Sequence, residues 1–423
     1  MKQKFIFMVS SYKSKTLQDL LKVLSGNIVA QGIGFLTIIL ISRDLGPEQY
    51  GIFSLLLSIF TIAVQVSDFG VSTSYVKYVS ENLVKAKDIF VTVVLSKVIL
   101  SFLITTVLFF TSDFISLYFF EISIYSQLIQ LIAFSIFFHA FFGVIVSHFQ
   151  AIQNFKVFAW LNIVHHTLKL LSVVLIAVLF ENEKHLEYFI LSYSYAVALL
   201  LFLILLTNIK CLTQIKIFNF YYFIEIYKLG FWVFLSSLAT IVIMRLDIIM
   251  LQKMSTSEEV GYYSVAMNIA MIFPLITASL VTTLLPKMDQ FLKERSVKEY
   301  IFRILSKAKY VIGILIVLEI MSPFVIKGLF GDEYIQSISV FQILLVAFTF
   351  GVIINPISLI MYSLNKVYLL TLMNWIQLPL NYFGNIFLIP LWQADGAAIS
   401  TILLKIIGVI YIITFLLRFK NDK

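Results

Sequence analysis

A single cysteine, Cys211, leaves this chain without a disulfide framework and without any multi-cysteine metal cluster. Charge is scarce too. Asp, Glu, Lys and Arg make up 13% of the 423 residues, where a soluble domain carries roughly 25%. Proline is rare in the first half, which holds only Pro47, while Pro274, Pro323, Pro356 and Pro379 fall in apolar stretches of the second, where they are expected to kink helices. No Walker sequence is present, which excludes nucleotide binding of that kind. Asp68-Phe69-Gly70 matches a kinase tripeptide in letters only, with no Gly-rich or catalytic loop beside it. The adjacent pair His165-His166 would point about 100° apart on a helix, with no carboxylate at ligand spacing, so no metal site and no cofactor is expected.

What the chain has in abundance is apolar surface. Hydrophobic residues are 60% of it and its mean hydropathy is +0.98, a surplus that calls for lipid rather than water. Twelve segments are long and apolar enough to span a bilayer: 20–42, 50–76, 88–110, 124–149, 157–180, 188–208, 229–252, 260–286, 305–326, 335–363, 367–389 and 396–417. Continuous runs such as Leu201-Phe202-Leu203-Ile204-Leu205-Leu206 lack the alternation of a β-barrel, so the class is all-α. The stretch Phe5-Ile6-Phe7-Met8-Val9 is too short for a cleavable signal, which leaves insertion to the first span. The two termini and the even-numbered connections carry 22 of the 31 Lys and Arg, the odd-numbered connections only four. That bias places both termini in the cytoplasm of a cell (plasma or inner) membrane protein. It also accounts for the net charge of +8 as topology and lipid attraction, without nucleic acid. The densest charge run, Lys287 to Ile304, reads as an amphipathic surface helix joining the eighth and ninth spans.

A faint internal copy lies 210 residues downstream. Pro47-Glu48-Gln49-Tyr50-Gly51-Ile52-Phe53-Ser54 is echoed by Ser257-Glu258-Glu259-Val260-Gly261-Tyr262-Tyr263-Ser264. The same offset pairs Arg43 with Lys253, Lys77 with Lys287, and Lys156 with Lys366. Six spans per repeat is an even number, so the repeats insert in the same orientation, about an axis along the membrane normal. The expected architecture is two parallel-oriented six-helix bundles, residues 1–215 and 216–423.

Charges inside such helices cost about 2.5–3.5 kcal/mol each at the bilayer centre and must face protein or water. Those in question are Lys97, Lys169, Arg245, Asp247, Glu319 and Lys405. Arg245 and Asp247 lie about 200° apart around one helix, so each needs a partner elsewhere. Arg245 is then either a contact for a substrate anion or half of a fixed ion pair. Asn162, His166 and Lys169 form one stripe on the fifth span, Gln65, Asp68, Ser72 and Tyr75 another on the second, and Asn27 with Gln31 a third on the first. Each stripe is either the wall of a hydrated cavity or a set of interhelical hydrogen bonds. Lys77 and Lys287 sit at equivalent cytoplasmic ends of the second and eighth spans, open to an anionic headgroup or to ordinary snorkelling.

Ser42-Arg43-Asp44-Leu45-Gly46-Pro47-Glu48-Gln49-Tyr50-Gly51, followed by Asp68-Phe69-Gly70, resembles the polysaccharide-biosynthesis membrane proteins, the O-antigen and capsule repeat-unit flippases. Arg245-Leu246-Asp247 through Ser264-Val265-Ala266 is similar to the same family's seventh and eighth helices. The resemblance implies membership of the multidrug/oligosaccharidyl-lipid/polysaccharide exporter superfamily, with its bundles in a V around a cavity lined by helices one, two, seven and eight. It implies a polyprenyl-pyrophosphate-linked oligosaccharide as partner, moved to the outer leaflet by alternating access, often with an ion gradient. The related lipid II flippases usually carry two further helices that are not found here.

A pyrophosphate needs cations, and sugars need amide, hydroxyl and aromatic partners. The expected substrate-binding residues are therefore Arg245, Lys77, Lys287, Asn27, Gln31, Gln65, Lys97, His166 and Lys169, with Asp68 and Asp247 as carriers of a coupling proton or sodium ion. Two alternatives stand beside the flippase. One is a cation-coupled multidrug exporter of the same superfamily, and the other a membrane polysaccharide polymerase or ligase, which the short outer connections disfavour.

Overall fold

The computed structural model describes residues 2–81, 86–180, 184–212, 219–277, 281, 284, 297–364, 366 and 368–421. Twelve α-helices account for nearly all of these residues: α1 Lys2–Asp68, α2 Val71–Glu81, α3 Ala86–Phe110, α4 Ser112–Phe120, α5 Ser126–Ala151, α6 Phe155–Leu179, α7 His185–Leu212, α8 Phe220–Met254, α9 Ser257–Ala270, α10 Val297–Phe330, α11 Ser337–Ser363 and α12 Tyr368–Asn421. A 3-10 turn, Asp332–Tyr334, joins α10 to α11, and no strand occurs among the described residues. The chain is a multi-pass membrane protein. Among the described residues, ten helical segments are long and apolar enough to cross a bilayer. Two of them, Lys22–Asp68 and Tyr368–Phe415, are 47 and 48 residues long. At about 1.5 Å per residue each is more than twice as long as the roughly 30 Å hydrocarbon core.

Both long helices are interrupted where the sequence divides them. In α1 the break is Gly46 (φ 68°, ψ 175°), directly before Pro47. Glycine takes the positive φ without a Cβ penalty, and proline suits the first helical position because its missing N–H would have no partner there. In α12 the break is Gln393 (φ 49°, ψ −124°), and the backbone N–H of Ala394 that it frees is accepted by Glu259 Oε2 at 3.2 Å. Pro323 and Pro356 lie within helices that show no such break, Pro379 lies in α12 well before its break at Gln393, and Pro274 stands in the helical stretch that resumes at Ile272 after Met271 caps α9. The second span, expected as one segment to residue 76, also breaks at Phe69 (φ 46°) and Gly70 (φ 69°) before resuming as α2. The charge run after Lys287 lies outside the described residues as far as 296, and from Val297 it is part of α10.

The chain divides into two compact units. Unit 1 comprises Met1–Asp44 and Ile59–Leu238; unit 2 comprises Leu45–Ser58 and Ala239–Lys423. In unit 1, α1 presents a buried stripe of Gly26, Ala30, Gly34, Thr37 and Ile41. A Cβ on Gly26 would meet Ala159, and one on Gly34 would lie 2.9 Å from His166 Nδ1, so α6 packs at backbone distance. Val71, Tyr75 and Val79 of α2 pack with Ile89 and Val93 of α3 and with Val144 of α5. Tyr75 is tied to His148 Nδ1 at 2.6 Å.

Unit 2 is built on α9, α11 and α12, with Tyr300, Ile357, Ile360 and Ile412 in one cluster. The span within α10 is only 11% buried, and Phe302, Tyr310, Ile316 and Phe324 face outward, which suits contact with lipid. The repeat motifs meet within this unit. A Cβ on Gly51 would fall on the Ser257 carbonyl oxygen, and one on Gly261 would fall on that of Pro47.

Candidate functional site

Asp247 of α8 is 2% exposed and is the hub of a polar cage in unit 2. Its Oδ2 accepts from Tyr263 OH at 2.6 Å and from Thr401 Oγ1 at 3.1 Å; its Oδ1 accepts from Asn385 Nδ2 at 2.7 Å. Asn385 Nδ2 also reaches Asn381 Oδ1 at 3.2 Å, while Asn385 Oδ1 is buried with no hydrogen-bond partner. Such an orphan acceptor beside a buried carboxylate is costly unless a cation or a proton completes the site. The donor set, Asp247, Asn381, Asn385 and Thr401, is all oxygen with one carboxylate, chemistry that suits a hard monovalent cation. No group of three or more His, Cys, Asp or Glu able to hold a metal occurs among the described residues. The sequence singles out Asp247 but not its cage, although Asn381 and Asn385 stand at helical i, i+4 spacing in an otherwise apolar span.

In unit 1, Asp68 and Lys97 form an ion pair between the end of α1 and α3. Lys97 Nζ donates to Ser72 Oγ at 2.6 Å, and Ser72 Oγ donates to Asp68 Oδ1 at 2.5 Å, closing a three-membered network. Lys97 is 4% exposed on its side chain and Asp68 20%. Phe69 follows in its left-handed conformation, stacked on Phe234 with ring centroids 4.6 Å apart. Gly70 then packs on the carbonyl oxygen of Gly230, where no side chain would fit. The tripeptide Asp68-Phe69-Gly70 thus pairs a charge, bends the chain and admits a neighbouring backbone.

The second-span stripe is engaged throughout: Gln65 Nε2 donates to Ser237 Oγ at 2.7 Å, Asp68 and Ser72 join Lys97, and Tyr75 joins His148. Asn27, Gln31 and Lys77 are exposed and Arg245 is half-buried. Lys287 lies outside the described residues. On α6, Asn162 donates to its own helix at Phe158 O, 3.1 Å away, while His166 and Lys169 belong to an interior cluster with His139 and His165. Asp44 of the Arg43-Asp44 motif pairs with His185, a contact that its sequence context does not signal.

The family model for polysaccharide biosynthesis proteins matches residues 16–292, well over half of the chain. The chain belongs to that family. No curated protein sequence matches it. Among solved structures, the lipid II flippase MurJ in an inward closed conformation superposes with a TM-score of 0.75 at 16% identity, over 93% of this chain and 87% of that one. An inward-facing multidrug resistance MATE family transporter of the MOP superfamily gives 0.68 at 12% identity, over 92% and 96%. A mutant of the Vibrio cholerae MATE transporter VcmN gives 0.61 at 15%, over 98% and 97%. At these identities the likeness is one of fold, and it is the fold of flippases and exporters.

Proposed function

We propose that this member of the polysaccharide biosynthesis family flips a polyprenyl-pyrophosphate-linked oligosaccharide repeat unit from the cytoplasmic to the outer leaflet of the cell membrane, for O-antigen or capsule assembly. Both termini are cytoplasmic in this reading, and the two six-helix repeats, 1–215 and 216–423, alternate in access. The observation that carries it is a family match to polysaccharide biosynthesis on an exporter fold. Half-buried Arg245 supplies a permanent, planar, anion-binding charge within a span, suited to a pyrophosphate. Exposed Lys77 and its repeat equivalent Lys287 would gather the headgroup at the cytoplasmic face, and Asn27, Gln31 and Gln65 would contact sugars.

Asp247 is the coupling residue of this scheme, binding sodium or a proton in its oxygen cage; Asp68, already paired with Lys97, is the second. Deleting the gene tests the whole reading. Lipid-linked repeat units should accumulate on the cytoplasmic leaflet while surface polysaccharide falls; normal surface polysaccharide without accumulation would remove it. A cation-coupled drug exporter is the second reading, favoured by the Asp247 cage and the MATE likeness. It predicts drug sensitivity on deletion, with polysaccharide unchanged.

A further inference from the structure

Inside unit 1, His139 of α5 and His165, His166 and Lys169 of α6 meet with no carboxylate among them. The ring centroids of His139 and His165 lie 5.6 Å apart, those of His165 and His166 5.1 Å. His139 is fixed by Nδ1 on the Ser135 carbonyl at 2.9 Å and by an edge-on contact with Phe60 at 4.8 Å. Lys169 is 8% exposed, with its ammonium 4.3 Å over the Tyr193 ring of α7. His165 Nε2 and His166 Nδ1 are buried without a hydrogen-bond partner. Among the described residues no salt bridge joins any of these four to an Asp or Glu.

The other two lysines within spans are provided for differently. Lys97 is bonded to Asp68, and Lys405 lies in the field of Asp247. Lys169 alone of the three has only an aromatic face. A desolvated ammonium without a counter-charge is costly, and a ring face offsets only part of that cost. A cation ligand would meet the ammonium head-on. An anion would relieve it and give the unpartnered ring nitrogens an acceptor.

We propose that this cluster binds a small, singly charged anion, with Lys169 as its counter-charge and His165 and His166 as further donors. A free halide and the carboxylate of an acidic sugar share that chemistry. The site stands independently of the transport reading, because it is measured as binding. The test is the unfolding temperature of the purified full-length protein, titrated with sodium chloride, acetate or glucuronate. Total sodium and ionic strength are held constant with the bulky HEPES anion.

A saturable rise is expected, weakening about tenfold or more in apparent affinity in Lys169→Met and in His166→Gln. A rise with chloride identifies a solution anion as a ligand, and a rise with acetate or glucuronate alone identifies a sugar carboxylate; both support the site. No saturable rise with any of the three in the wild-type protein overturns it, as does affinity kept within about twofold in the variants. Where Lys169→Met cannot be purified, His166→Gln carries the same comparison.

Discussion

Gly51 and Gly261 hold each other's helices by one and the same contact, made twice. Gly51 lies against the carbonyl of Ser257 and Gly261 against that of Pro47, and both pairs are related by the 210-residue offset of the repeat. Reciprocity of this kind is what a local two-fold between segments 47–51 and 257–261 produces. The repeat is therefore a packing relationship as well as a likeness of letters. Tyr50 extends it, accepting a hydrogen bond from Asn268 Nδ2 at 2.9 Å and meeting Tyr334 edge-on.

Alanine at either glycine places a Cβ inside a backbone carbonyl, and backbone, unlike a flexible side chain, cannot step aside. Gly51→Ala and Gly261→Ala should each cost about 1–3 kcal/mol of stability. Because either one already forces the helices apart, the double variant should cost clearly less than the two single costs added, a coupling that thermal unfolding of the four proteins measures. Additive costs would mean that the two contacts are separate.

Lys97→Met leaves Asp68 and Ser72 without their common partner. Removing one member of such a pair costs about 3–5 kcal/mol where both are fully buried. Asp68, at 20% exposed, should bring the loss to the lower end of that range. Replacing Asp68 by Leu in the same protein should restore part of the loss, read from unfolding midpoints. A Lys97→Met protein as stable as the wild type would show that the network contributes nothing.

Asp247→Asn should abolish cation-dependent stabilisation. In the wild-type protein, sodium at about 100 times its dissociation constant would add about 2.7 kcal/mol to the folded state. Asn385→Ala, which removes the orphan oxygen, should weaken the apparent sodium affinity while leaving the carboxylate in place. The measurement is unfolding temperature against sodium concentration, with choline replacing sodium. A wild-type protein indifferent to sodium would remove sodium as a ligand of the cage.

The helical class and most of the breaks were legible because they rest on local chemistry. Gly46-Pro47 marks a turn by its own conformational rules, and Gln393 and Asp395 interrupt an apolar run. The intramembrane charges were legible for the same reason, since each stands out from its neighbours. Their partners were not. Asn385 and Thr401 lie far along the chain from Asp247, and Lys97 meets Asp68 from another helix; nothing in a stripe of polar residues says which helix it will face. The break at Phe69-Gly70 was hidden because its cause, the close approach of Gly230, is tertiary. The bond between Tyr75 and His148 likewise depends on α2 packing against α5.

Movement of a lipid-linked oligosaccharide can be followed in reconstituted vesicles. Purified protein is placed in liposomes holding a polyprenyl-pyrophosphate-linked oligosaccharide in both leaflets, and the fraction open to an added, membrane-impermeant glycosidase is followed. Wild-type protein should expose nearly all of the substrate, while Arg245→Ala, folded and present in equal amount, should leave about half protected, as empty liposomes do, because substrate in two leaflets divides between them. Protection of that same half by wild-type protein, or full exposure by Arg245→Ala, would contradict the proposed function.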